Sequence, residues 1–185
     1  MKVCFTGHRP DKLGGYDLNS PKNLAIKEAI KAEVIQIVED YRGHEITFIF
    51  GGALGFDQIA FDVCFELKMS KFPFIQLEIA VPFRFQYLKW IEPSCRKYFN
   101  QLSVADKITY VDLIPQYQVR GILPDKYHPA KMQKRNEYMV DISDIVIGGW
   151  NGDRKGGTFN CLRYAWKEKK VVITIDLKYE EGNHE

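Results

Sequence analysis

The sequence has few cysteines, almost no net charge and no long apolar run. Its four cysteines lie far apart with no C-x-x-C pair, which argues against a zinc ribbon, a thioredoxin-type site and a disulfide-rich secreted scaffold. The histidines are equally scattered, so no metal and no cofactor is assigned. Because 26 Lys and Arg oppose 24 Asp and Glu, no large electrostatic field favours nucleic acid or a membrane. We therefore expect a cytoplasmic chain with reduced thiols and no membrane partner.

Apolar residues, by contrast, make up 45% of the 185 residues, which is enough for one sizeable core. Short runs rich in β-branched and aromatic residues predict buried strands at 3–6, 46–50, 75–81, 108–111, 145–147 and 171–175. Helical spacing predicts helices opened by Ser20-Pro21, after Gly55, over 87–102 with a kink near Pro93, over 130–142 and over 158–169. This alternation predicts a Rossmann-like α/β three-layer sandwich, with a mostly parallel sheet and helices on both faces, as one domain over 1–179.

Two segments fall outside this pattern. Residues 112–129 form the longest irregular stretch and mix prolines and glycine with aromatic and basic side chains. A stretch of this length within a compact domain is either functional or a surface excursion, so we interpret it as a possible lid. The polar residues 180–185 are expected to fray.

The first candidate ligand segment follows the first strand, where ligands of parallel sheets bind. Thr6, Gly7, His8 and Arg9 combine a hydroxyl, a close backbone approach, an imidazole and a guanidinium. This combination suits phosphate or ribose. The alternative is a turn in which Arg9 pairs with a neighbouring carboxylate.

A second candidate segment leaves the second strand through three glycines. Gly51, Gly52 and Gly55 lead into a helix, which is an arrangement that presents backbone N–H groups and a helix dipole to an anion. The loop is neither G-x-G-x-x-G nor a Walker loop, so it supports neither a nicotinamide-dinucleotide nor an ATPase assignment. Asp57 falls in the first helical turn, where it can cap the helix or contact the ligand.

The third candidate segment surrounds the fifth strand. Arg135 and Asn136 lie on the preceding helix, and the strand is followed by residues that we predict to form a second anion-binding loop: Gly148, Gly149, Trp150, Gly156, Gly157 and the N-cap Thr158. In the competing interpretation the apolar helix positions are core contacts and Arg135 is solvated. That interpretation leaves the glycines unexplained.

In these three segments the sequence resembles the SLOG superfamily, which includes the LONELY GUY phosphoribohydrolases, DprA-type DNA-binding proteins and the YpsA-type proteins of bacteria and phages. The YpsA-type branch is the most similar. The resemblance implies recognition of nucleotides or nucleotide-derived ligands. The LONELY GUY enzymes carry a Met-x-x-Arg-Lys helix and, after Gly-Gly-x-Gly-Thr, a catalytic Glu. Arg135 matches the first feature, but Asn160 and Cys161 occupy the region of the acidic residues.

Three functions follow in order of preference. The first is binding or sensing of a nucleotide-derived ligand without turnover, in which His8, Arg9 and Arg135 contact phosphates and a lid aromatic ring or Trp150 stacks on a base. The alternative is a nucleoside monophosphate phosphoribohydrolase with Arg135 as a catalytic residue, which lacks the carboxylate that a cationic ribosyl transition state needs. The last is single-stranded DNA binding, supported by these basic residues alone: Arg154, Lys155, Arg163, Lys167, Lys169 and Lys170. The superfamily commonly forms dimers, so a homodimer is a possible partner state.

Overall fold

A six-stranded sheet organises the chain in the computed structural model, which describes residues 1–177. The segment expected to fray, 180–185, lies outside the described residues. The strands are β1 (Lys2–Gly7), β2 (Thr47–Phe50), β3 (Gln76–Val81), β4 (Lys107–Tyr110), β5 (Ile145–Trp150) and β6 (Val171–Asp176). All their pairings are parallel, in the order β4-β3-β2-β1-β5-β6. The chain therefore reverses its direction of travel across the sheet between β1 and β5, where open parallel sheets form a ligand crevice.

Five α-helices cover the two faces of this sheet. They are α1 (Pro21–Asp40), α2 (Phe56–Ser70), α3 (Glu92–Val104), α4 (Pro129–Asp141) and α5 (Gly156–Lys167). Alternate residues of β1 enter different cores, because side chains along a strand point to opposite faces. Val3 and Phe5 pack in the core that includes α1 and α2, whereas Cys4 packs in the core that includes α4 and α5. The predicted three-layer Rossmann-like sandwich is confirmed, with a sheet that is entirely parallel.

Two predicted helix starts are wrong. α3 begins at Glu92 rather than at 87, and Pro93 lies in its first turn, where proline's missing N–H is tolerated, so it starts the helix instead of kinking it. α5 begins at Gly156 with Lys155 as its N-cap, so Thr158 lies within the helix and is not the cap. A positive φ of 88° at Gly156 lets the chain enter the helix two residues earlier than the hydroxyl signal indicates.

The predicted loop after β5 is also shorter than expected, because the strand continues through Trp150. Gly148 and Gly149 are therefore strand residues, paired with Thr6 and Gly7 of β1. A Cβ atom at Gly148 would lie 2.6 Å from the Leu162 side chain, and one at Gly149 would overlap the ring of Phe56. These two glycines allow helices to pack closely on the strand.

A buried ion pair anchors the irregular segment before α4. Lys131 Nζ lies 2.9 Å from Asp112 Oδ2, and the two side chains are 2% and 1% exposed. The same carboxylate oxygen accepts the Asp125 N–H at 2.9 Å, and Lys131 also donates to the Leu123 carbonyl at 2.9 Å. The segment predicted as a lid is thus tied to Lys131 of α4 at two points, Asp112 and Leu123, and is cross-linked internally by the Asp125 N–H.

Candidate functional site

A cleft of about 230 Å³ opens at the carboxyl ends of β1 and β5, and we call it the β1–β5 cleft. Ten of the sixteen predicted site residues line it: Thr6, Gly7, His8, Arg9, Asp57, Arg135, Asn136, Gly156, Gly157 and Thr158. They come from the end of β1 and from the starts or inner faces of α2, α4 and α5. The fold therefore brings parts of all three predicted segments to one place.

His8 is held in place by the residue that follows β5, on the opposite side of the cleft. Its Nε2 lies 2.7 Å from Asn151 Oδ1, which also accepts the Asp153 N–H at 3.1 Å. The backbone N–H of Asn151 also approaches Nε2, at 3.4 Å, and Nδ1 lies 3.4 Å from the Thr158 hydroxyl oxygen. Burial lowers the pKa of His8 below its ordinary value of 6.5, so the ring is neutral at pH 7.

Arg135 and Asp57 form the charged base of the cleft. Arg135 Nη1 donates to the Gly51 carbonyl and lies 4.0 Å from Asp57 Oδ2, while its Nε donates to Asn136 Oδ1 at 3.0 Å. Burial raises the pKa of Asp57, with Arg135 acting against that rise, and burial lowers the pKa of Arg135. With only 6% of its surface exposed, Arg135 is not the solvated residue of the competing interpretation.

The glycines before α2 leave the space that this charged base of the cleft occupies. A Cβ atom at Gly51 would overlap the Arg135 guanidinium, and one at Gly55, where φ is +91°, would lie 2.6 Å from the His8 carbonyl oxygen. That carbonyl accepts the Phe56 N–H at 3.1 Å. None of the three predicted glycines Gly51, Gly52 and Gly55 lines the cleft itself. Gly51 instead leaves room for the Arg135 side chain, and Gly55 leaves room for the backbone at His8.

Two features of the cleft that carry positive charge or a positive dipole end are exposed and accessible to a ligand. The N-terminus of α5 presents its first-turn amides at Gly156 and Gly157, where a Cβ atom would meet nothing within 4 Å. Arg9 is exposed and forms no salt bridge within residues 1–177, so the alternative in which it pairs with a carboxylate is not observed there. An arginine and a helix N-terminus facing one cleft are well suited to a phosphate.

Gly148, Gly149 and Trp150 do not reach the cleft. The Trp150 ring stacks on Phe159 at 6.0 Å between centroids, and its Nε1 donates to the Asp153 carbonyl at 2.7 Å. Sequence reasoning instead missed several residues that line the cleft: Phe5, Asp11, Lys12, Ala53, Met132 and Lys155. A signal for two of them was present, because Asp11 and Lys12 lie two and three positions after the predicted site residue Arg9.

Lys12 links the two sides of the cleft mouth. Its Nζ lies 2.6 Å from Asp153 Oδ2, and the two side chains are 39% and 37% exposed. The Lys12 ammonium lowers the pKa of the Asp153 carboxyl. Because both side chains are exposed to solvent, the pair contributes little to stability, so an incoming anion can replace Asp153 at little cost.

Within the part of the chain that the structure covers, no three His, Cys, Asp or Glu side chains come together as a metal site. None of the helices in that part has both the length and the hydropathy needed to cross a bilayer. Its four cysteines are free thiols, three of them buried.

Comparison with protein families gives a match over nearly the whole chain. The family model YpsA, described as the YspA SLOG family, matches residues 3–176. The SPbeta prophage-derived protein YoqJ of Bacillus subtilis is 39% identical over 150 residues, which is 81% of this chain and 85% of YoqJ. The UPF0398 protein BH1768 of Halalkalibacterium halodurans is 32% identical over 171 residues, which is 92% of this chain and 83% of that relative.

A solved structure with a similar fold is DNA processing protein A from Helicobacter pylori, which was described for its single-stranded DNA binding mode. The TM-score is 0.56 at 19% sequence identity, and the match covers 99% of this chain and 67% of that one. At this level of identity the likeness establishes the fold alone.

Proposed function

Because the chain belongs to the YpsA SLOG family, we propose that its β1–β5 cleft binds the phosphate of a nucleotide or nucleotide-derived ligand, and that the protein holds this ligand without converting it. The observation that carries the proposal is the meeting of the unpaired Arg9 with the open N-terminus of α5. A guanidinium supplies a bidentate fork, and helix amides supply donors and a positive dipole end.

The ligand's phosphate would lie against the first turn of α5, with Arg9 closing over it. Gly156 and Gly157 leave the space that such a close approach needs. His8 would contribute a neutral ring that can accept a proton when an anion arrives. Arg135, held by Gly51 and Asp57, contributes positive potential from below.

Binding without turnover is favoured by the carboxylates that are present. Asn160 stands in the region of the family's acidic residues and does not line the cleft. Asp57 is buried beside Arg135, and its Oδ2 also accepts the Ala53 N–H at 3.4 Å. A carboxylate held in this way is placed to keep Arg135 in position.

The test is a thermal-shift and calorimetric screen against nucleoside mono-, di- and triphosphates, ADP-ribose and cyclic nucleotides, followed by chromatography of each ligand that binds. We expect at least one ligand to bind and to be recovered intact. Arg9→Ala should weaken its affinity by about tenfold. Arg42→Ala, which removes an arginine that is 78% exposed on another surface, is the matched control and should change nothing. The absence of any melting shift across the panel would overturn the proposal.

A second candidate is phosphoribohydrolase activity, and the raised pKa of Asp57 is the observation that favours it. A carboxyl group in a cleft whose pKa is raised by burial is a candidate general acid or base. Incubation with nucleoside monophosphates should then release free base, and Asp57→Asn should abolish this release while retaining the melting transition. Release at the spontaneous rate, even at high protein concentration, would eliminate this candidate.

Binding of single-stranded DNA is a third candidate, and the contacts of the basic residues support it less well. Of the basic residues predicted for it, Lys170 donates to the Asp141 and Ser143 carbonyls, Lys167 lies 3.6 Å from Glu168, and Lys155 lies in the cleft. Titration of a labelled oligonucleotide at several salt concentrations tests this candidate. Affinity that falls steeply with salt would support a groove that follows the phosphates, and a flat response would exclude it.

A further inference from the structure

A second and larger pocket, of about 490 Å³, adjoins the β1–β5 cleft. Its walls are the loop after β3 and the irregular segment before α4, and we call it the aromatic pocket. The lining residues that matter for a ligand are Arg9, Phe83, Gln86, Lys89, Tyr127 and Met132. Arg9 and Met132 line both cavities, so one ligand can extend from the cleft into the pocket.

The lining of the aromatic pocket suits a planar ring that carries negative charge at one end. Phe83 and Tyr127 meet edge to face, with centroids 6.0 Å apart and planes at 71°. Tyr127 is 60% exposed, so most of its surface is available to a ligand. The ammonium of Lys89 lies 5.1 Å from the Tyr127 centroid and, with Arg9, adds positive potential beside the rings.

Polar anchors hold the two walls of the pocket together before any ligand binds. The Arg84 N–H on one wall donates to Asp125 Oδ1 on the other at 3.3 Å, and the Asp125 N–H donates to the buried Asp112. Lys131, paired with Asp112, lies 5.8 Å from the Phe83 ring. The aromatic side chains therefore stand on backbone that is already fixed, which lowers the ordering cost of binding.

We propose that the aromatic pocket holds the base of the same nucleotide whose phosphate occupies the β1–β5 cleft, with the base stacked against Tyr127. The inference rests on the proposed function, because it assigns the second half of that ligand. The shared Arg9 lies where the phosphate or ribose passes from one cavity to the other. Gln86 supplies an amide for the edge of the base. Its Nε2 donates to Tyr98 Oη at 3.0 Å, which fixes its orientation.

The experiment compares two probes, AMP and ribose 5-phosphate, by isothermal titration calorimetry. Ribose 5-phosphate keeps the anionic end and lacks the base. Stacking of one base on an aromatic side chain accounts for about a tenfold gain in affinity, so the wild-type chain should bind AMP about tenfold more tightly. Tyr127→Ala should remove that preference and leave the affinity for ribose 5-phosphate unchanged.

The matched control is Tyr16→Ala, which removes a tyrosine of similar exposure, 65%, outside both cavities. It should leave both affinities unchanged, and Tyr127→Phe should retain the AMP preference. Equal wild-type affinity for the two probes, or an unaltered preference in Tyr127→Ala with a normal melting transition, would overturn the base assignment while the proposed function stands. Failure of both probes to bind would overturn the base assignment, and the proposed function would fall with it only if the whole nucleotide panel also gave no melting shift.

Discussion

The β1–β5 cleft and the aromatic pocket share two residues but are built by different means. The cleft lies where regular strands end and helices begin, and its charged groups are fixed by the sheet and by close helix packing. The aromatic pocket lies between two irregular segments that are joined by the hydrogen bond from the Arg84 N–H to Asp125 Oδ1, and the second segment is tied to α4 by one buried ion pair, Lys131–Asp112. The shape of the cleft therefore depends on the whole fold, whereas the shape of the aromatic pocket depends on local polar contacts, among them this buried tether.

The sharpest way to break this comparison is to remove one partner of that tether. Lys131→Met leaves the Asp112 carboxylate buried without its counter-ion, and we expect the free energy of unfolding to fall by about 3 to 5 kcal/mol. Urea denaturation measures the loss. The double variant Asp112→Leu/Lys131→Met removes both charges and should recover most of the stability. If Lys131→Met were as stable as the wild type, the tether would not be what holds the pocket.

Arg135 provides the corresponding test in the cleft. Arg135→Gln leaves Asp57 buried, but this carboxyl can take up a proton because burial already raises its pKa. We therefore expect a smaller loss of stability, about 3 kcal/mol at most, together with loss of phosphate binding. Denaturation and calorimetry with ribose 5-phosphate give the two readouts. Retained binding in a folded Arg135→Gln would remove Arg135 from the site.

Two glycines sharpen the distinction between close packing and ligand approach. Gly149→Ala places a methyl group in the Phe56 ring and should destabilise the fold by about 1 to 3 kcal/mol without a specific effect on binding. Gly157→Ala meets no atom within 4 Å, so it should leave stability unchanged or raise it by up to about 1 kcal/mol, and weaken phosphate binding. Melting and titration of both variants test the pair. If Gly149→Ala weakened binding and Gly157→Ala destabilised the fold, Gly157 would be the packing position and Gly149 the ligand position.

The smallest expected effect is the pH dependence that His8 adds to the cleft. Because burial lowers its pKa below 6.5, the unfolded chain takes up a proton more readily than the folded one. The stability that this group contributes is fully present above pH 6.5 and is lost as the pH falls from 6.5 towards the lowered value. Between pH 7.5 and pH 5.5 the free energy of unfolding should fall less in His8→Gln than in the wild type. The difference between the two falls should be about 1 kcal/mol or less. His44→Gln, at an exposed histidine, should behave like wild type.

Most of the fold and the core of the cleft could be predicted from the sequence, because strand periodicity and strand-end motifs are local signals. A glycine in the sequence is ambiguous, because the sequence does not distinguish a glycine that leaves space for a ligand from one that leaves space for a neighbouring side chain. For that reason Gly148 and Gly149 were assigned to a loop although they pack against Leu162 and Phe56. The sequence pointed to an aromatic ring of segment 112–129 as a base contact but gave no signal for the opposite wall of the pocket, because Arg84 and Asp125 meet across 41 positions that include α3 and β4.

The Thr158–His8 contact has a consequence for how the protein is made. The two residues meet across 150 positions of sequence. A ribosome that adds about 5 to 20 residues per second takes about 8 to 30 s to synthesise that span. For most of this interval β1, which pairs with both β2 and β5, lacks one of its neighbours. A nascent chain that stops before α5 therefore lacks one side of this cleft, and the ligand binding that we propose requires nearly the whole chain.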